Sequence, residues 1–156
     1  MSRRVLWLSI VVAAAIALAP RVALALTAND LVGTWLLIKA DAFGANPKGL
    51  VMFDAGGRFI QIITRADLPK YAANARDGGT AEEFKATALG SIGFFGTYSV
   101  NGTDLIRHVE ASSYPNMIGT EQKLGELTLN GDELSWSNPA SPATGGRVVV
   151  IWKRAK

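Results

Sequence analysis

The segment Arg107 to Gln122, RHVEASSYPNMIGTEQ, concentrates the side chains of this sequence that could do chemistry. It holds the chain's only histidine, His108, with Glu110 two residues on, and Glu121 and Gln122 beyond a Tyr114-Pro115-Asn116 turn. Imidazole changes charge near neutral pH, and a neighbouring carboxylate can set its tautomer. Residues two apart on a strand point to the same face. A His/Glu pair so placed suits general acid and base work on a bound substrate, which makes His108 and Glu110 the catalytic candidates. Glu121 or Gln122 on the adjoining strand could complete the cluster, and Tyr98 could donate from another. The same groups serve equally well as a structural network holding the long 114–119 connection. Periodicity does not choose the inward face. Ile106, His108, Glu110 and Ser112 share one side, Leu105, Arg107, Val109 and Ala111 the other, and each side mixes apolar with charged groups.

Other chemistries are excluded by residue type and spacing. The chain has no cysteine and one histidine, which removes disulfides, thiolate metal sites and His-rich metal sites within one chain. Its acids lack metal-loop spacing, so neither a metal nor a cofactor is expected. Ser112 and Ser113 stand outside any G-x-S-x-G elbow. Gly90, Gly93 and Gly96 recur every three residues, but without the G-K-[ST] of a phosphate loop. They read as a helix end packing closely into the next strand.

The elements that must position these groups are mostly strands. LVGTWLLIKA, Leu31–Ala40, is the first. Gly49–Phe53 and Arg58–Thr64 flank Asp54-Ala55-Gly56-Gly57 as a hairpin. Phe94–Val100 and Asp104–Ser113 flank Asn101-Gly102, a strong hairpin turn. Thr120–Leu129 and Glu133–Ser137 flank Asn130-Gly131-Asp132, and RVVVIWKR, Arg147–Arg154, closes the chain. Between residues 67 and 92 the β pattern stops. Leu68-Pro69 can open one helical piece, and Thr80-Ala81-Glu82-Glu83 is a capping box opening a second, with Gly78-Gly79 as a hinge or simple turn between them. Eight antiparallel strands can close into a barrel, which removes exposed edges and leaves room for one small ligand. A two-sheet sandwich is the competing architecture.

The first 25 residues read as a signal peptide. Arg3 and Arg4 precede the apolar run Leu6–Ala19, and Ala23-Leu24-Ala25 is a small-x-small cleavage site. The run is shorter than the ~20 residues that a spanning helix needs. Export to the periplasm or the exterior is therefore expected, with no stable membrane anchor after cleavage. The domain proper is residues 26–156. The net charge of +3 belongs to Arg3, Arg4 and Arg21 of the leader, so the domain is formally neutral. A nucleic-acid partner, which calls for a basic patch on the folded domain, is not expected.

At Gly33-Thr34-Trp35 the chain resembles a lipocalin. Further on, the Asp54–Phe59 hairpin, Phe95-Gly96-Thr97-Tyr98, His108-Val109-Glu110, Tyr114-Pro115-Asn116 and Gly119-Thr120-Glu121-Gln122 extend the resemblance, over about 130 residues, to the bacterial and fungal lipocalin-like domain family. The resemblance implies a single, mainly β, eight-stranded antiparallel barrel with the insertion at 67–92 in mid-barrel. It also implies that Trp35 closes the barrel floor under a cation from Lys153 or Arg154. A small hydrophobic or amphipathic molecule in the interior is the implied ligand. The residues expected to hold it are Trp35, Met52, Phe59, Tyr98, His108, Glu110, Gln122 and Trp136. An isomerase- or cyclase-type enzyme using His108 and Glu110, and a structural module with a filled barrel, are the alternatives.

Overall fold

The computed structural model describes residues 25–141 and 144–156. The leader expected over residues 1–25 lies, but for Ala25, outside the described residues. A helical turn α1 (Ala28–Leu31) precedes strands β1 (Gly33–Ala40), β2 (Lys48–Phe53) and β3 (Arg58–Thr64). Helix α2 (Ala81–Gly90) follows. Then come β4 (Ser91–Asn101), β5 (Asp104–Ser112), β6 (Glu121–Asn130), β7 (Glu133–Asn138) and β8 (Val148–Arg154). Each strand pairs antiparallel with its chain neighbours, and β8 returns to β1 to close an eight-stranded barrel. The barrel, not the sandwich, is the architecture, and it leaves no free strand edge.

Alternation along the strands sorts the side chains. Val51 and Phe53 on β2, Phe59 and Ile63 on β3, Leu105 and Val109 on β5, and Val148, Val150 and Trp152 on β8 are buried inside. Their neighbours point out, and on β1 to β4 several of these are also apolar: Leu36, Met52, Ile60, Ile62 and Phe95 are all exposed. Register shifts interrupt the ladders between Leu37 and Lys39, Phe95 and Gly96, and Gly125 and Thr128. Such bulges raise the local twist and bend that closure requires. At one of them Gly96 is obligatory, because a Cβ there would stand 1.8 Å from the His108 carbonyl oxygen.

One end of the barrel is sealed by α1. Polar Thr27–Asp30 folds into this turn, with the Asp30 carboxylate accepting from the Thr27 amide and hydroxyl, each at 2.7 Å. Those bonds hold the Asp30 carboxyl below its ordinary range. The Trp35 indole donates to the Leu31 carbonyl at 2.8 Å, and the single Tyr98 hydroxyl proton is shared between the carbonyls of Ala28 at 3.1 Å and Asp54 at 3.0 Å. Arg154, and not Lys153, supplies the expected cation over Trp35. Above this floor Phe53, Tyr98, Trp136 and Trp152 pack ring on ring, with centroids 4.7 to 6.3 Å apart. They fill the lower interior.

The insertion holds one helix where two were expected. Its capping box forms: the Glu83 amide donates to Thr80 Oγ1 at 3.2 Å, and the Thr80 amide to Glu83 Oε2 at 2.7 Å. Glu83 also accepts from the Ala72 amide at 2.9 Å, tying the preceding segment to the helix. Leu68-Pro69 opens no helix; turns run from there to Gly79. Asn74 sits at φ +50 there, and Asp77, Gly78 and Gly79 are weak helix formers. Tyr71 packs edge-on against Phe84 with centroids 5.4 Å apart. Gly90 is buried against Leu68 and Arg65.

Candidate functional site

The end opposite α1 is built from different material. The 3₁₀ turn Asp41–Phe43 after β1, the start of β4 with Ile92 and Phe94, the turn Pro115–Met117, and the loop around Asn138 and Ser141 converge there. They border a cavity of about 50 Å³ lined chiefly by Phe43, Ile63, Ile92, Phe94, Met117, Val148 and Val150. Its floor is polar: Gln61, Arg107, Gln122 and Trp136 border it.

Arg107 decides the character of this cavity. It lies on the inward face of β5 between Leu105 and Val109, and only 3% of its surface is exposed. Its guanidinium stands 5.1 Å from the Phe59 ring, 5.0 Å from Phe94 and 5.7 Å from Trp136. Cation–π attraction strengthens when the pair is desolvated, as here. Nη1 donates to Gln61 Oε1 and Nη2 to Gln122 Oε1, both at 2.8 Å. Nε is buried and finds no acceptor. Among the described residues, no carboxylate pairs with Arg107. Removal from water pulls the guanidinium down from its ordinary value to about 9, so it still carries its charge at neutral pH.

The expected site residues separate into three groups. Gln122, Phe59 and Trp136 meet around Arg107. Trp35 and Tyr98 lie at the sealed end, in its hydrogen-bonded floor. Met52, His108 and Glu110 face outward, which corrects their expected placement in the barrel interior. The reason is the pleat: once Leu105, Arg107 and Val109 turn in, His108 and Glu110 must turn out. They do not pair with each other. His108 Nε2 lies 3.3 Å from Glu121 Oε2, and Glu110 accepts from Arg58 at 2.6 Å. Both pairs are cross-strand contacts on the solvent side, and general acid–base work on an interior substrate is out of their reach.

Arg107 is the functional candidate that residue-type reasoning passed over. The signal lay in the pattern: Leu105-x-Arg107-x-Val109-x-Ala111 carries one charged group, whereas Ile106-x-His108-x-Glu110-x-Ser112 carries two titratable ones. The more apolar face is the better candidate for the interior, and its lone cation is then a buried one.

A wider groove of about 700 Å³ lies outside the cavity, between α2 and Ser113–Pro115, bordered by Arg76, Phe84, Thr87, Ala88, Leu89 and Tyr114. Phe43 and Ile92 border both spaces.

Comparison with known proteins adds one finding. A sequence family described as a lipocalin-like domain matches residues 33–155, which takes in all eight strands and the insertion. No curated protein matches the chain.

Proposed function

The chain belongs to the lipocalin-like domain family, and from that premise we propose that it is an exported protein, periplasmic or secreted, that binds a small amphipathic molecule at the unsealed end of its barrel. One observation carries the reading. The cavity floored by Arg107, Gln61 and Gln122 shares Phe43 and Ile92 with the largely apolar groove beside α2. Ligand sites are typically concave and apolar, with a few convergent polar groups that fix orientation. Polar end and apolar end are arranged here in that order. The leader-like composition of residues 1–25 supports export.

A second reading, a structural module with a filled barrel, is favoured by the modest cavity. Ring packing of Phe53, Tyr98, Trp136 and Trp152 occupies the lower interior, so a ligand has only the upper end and the groove. Native mass spectrometry of the protein purified from its source, followed by solvent extraction, separates the two. A discrete co-purifying small molecule is the expected result. A protein that is empty, and that also takes up no apolar probe in solution, would favour the filled barrel.

A further inference from the structure

We propose that Arg107 is a carboxylate receptor, and that the ligand is a monocarboxylic acid whose head enters the cavity while its apolar tail lies in the groove beside α2. This deepens the ligand-binding reading above and rests on it.

The starting point is a hydrogen-bond inventory. A guanidinium has five N–H donors in a planar fork and no acceptor. Two oxygens, Gln61 Oε1 and Gln122 Oε1, each take one of them. Nε is buried with no acceptor at all. A buried cation is ordinarily paired or hydrogen-bonded throughout, because an unpaired charge removed from water is expensive. The three surrounding rings offset part of that cost through their faces, yet they accept none of the remaining N–H bonds in the plane of the fork. What the fork lacks is an in-plane anionic acceptor, and a carboxylate matches it with two parallel bonds.

Neutral amides hold this cation where a carboxylate would have cancelled it. Gln61 and Gln122 orient the guanidinium without neutralising it, so its charge remains available to a ligand. The pull on its acidity from burial has the same origin, and a bound anion would reverse it.

Space narrows the class. A water needs roughly 10–15 Å³ of such volume, so a cavity of about 50 Å³ takes a carboxylate with one or two carbons and little else. A longer chain runs past Phe43 and Ile92, which border both spaces, into a groove lined by Phe84, Ala88 and Leu89, with Arg76 and Thr87 also on its wall. A flat monoanion with an apolar tail satisfies the fork and the size together. A bulky tetrahedral head or a dianion satisfies neither as well.

The test compares decanoate with decanol on the purified protein by isothermal titration calorimetry, with intrinsic tryptophan fluorescence as a second readout. The two probes share a tail and differ in the head. Decanoate should bind roughly ten- to a hundredfold more tightly, the range of a charge-assisted hydrogen-bonded pair. In Arg107→Met that preference should disappear while decanol binding persists. Equal binding of the two probes by the wild-type protein, or a preference that survives in Arg107→Met, would overturn the carboxylate receptor and leave the apolar site standing. Binding of neither would overturn both. The wild-type comparison needs no variant, so a misfolded Arg107→Met would not rescue the inference.

Discussion

Arg154 stands over Trp35 at the sealed end of the barrel, with its Cζ 4.0 Å from the ring centroid. Its two amino groups donate onward to the carbonyls of Val32 at 2.9 Å and Asp30 at 3.2 Å. One residue from the last strand thus joins the first strand to the helical turn below it. Gly33 belongs to the same joint. It sits at φ +133, and a Cβ there would meet Arg154 Nη1 at 3.0 Å. The Gly-x-Trp pattern therefore has a local physical cause: the glycine makes room for the cation that covers the tryptophan.

Arg154→Gln should lower the unfolding free energy by about 2 kcal/mol, from the lost cation–π contact and the weakened carbonyl bonds. Arg154→Lys should recover only part of this, since an ammonium cannot lie flat on the ring and reach both carbonyls. Urea unfolding of the three proteins checks the order. Ligand retention should be unchanged in both variants, because the joint lies at the end opposite the cavity.

Two glycines of β4 should respond very differently to alanine. At Gly93 the nearest atoms to an added Cβ are 3.9 Å away, whereas at Gly96 the His108 carbonyl oxygen is 1.8 Å away. Gly93→Ala should change stability by less than about 1 kcal/mol. Gly96→Ala forces the bulge between β4 and β5 apart and should cost more than about 4 kcal/mol or prevent folding. Circular dichroism melts of the pair would decide it.

His108→Ala and Glu110→Gln should leave ligand binding unaltered and shift the melting temperature by less than about 2 °C, as expected for exposed ion pairs. Loss of binding in either variant would contradict the inward placement of Arg107. Calorimetric titration beside a thermal melt reads both quantities.

The pH dependence of stability should carry the mark of Arg107. Its folded pKa, about 9, lies well below its ordinary value, so between the two the unfolded chain holds the proton more firmly. The wild-type protein therefore gains stability from this site as pH rises above about 9, while the full cost of the buried charge is present below it. Arg107→Met lacks the site. Its stability relative to wild type should fall between pH 7.5 and pH 10.5 in matched urea titrations. Tyr98 acts in the opposite sense. Burial raises its phenol above 10, so its contribution is complete below the ordinary value and fades as pH climbs through the raised one. Tyr98→Phe should remove that fading, and with it two carbonyl contacts worth about 1–2 kcal/mol.

Much of the barrel was legible because its signals are local. Asn101-Gly102 and Asn130-Gly131 mark hairpin turns through their tolerance of positive φ; Gly102 and Gly131 indeed adopt it. The Thr80/Glu83 box is written within four residues. The helix expected at Leu68-Pro69 did not form, since the residues after it favour turns and Tyr71 packs on the neighbouring helix instead. The site was legible only in part. Gln122, Phe59 and Trp136 do lie inside, around Arg107, whereas His108 drew attention by its chemistry alone.

Residue order by itself determined the strands, their hairpin succession, the cap of α2 and the Gly-x-Trp start, because turn chemistry and alternation act over a few neighbours. Only the tertiary structure decided which face of β5 turned inward. Alternation is symmetric between the two faces of a strand, and the choice depends on what eight strands together can bury. Closure placed Arg107 among Phe59, Phe94 and Trp136, residues 13 to 48 positions away in the chain. No local pattern encodes that meeting, and from it comes the buried, unneutralised charge at the floor of the cavity.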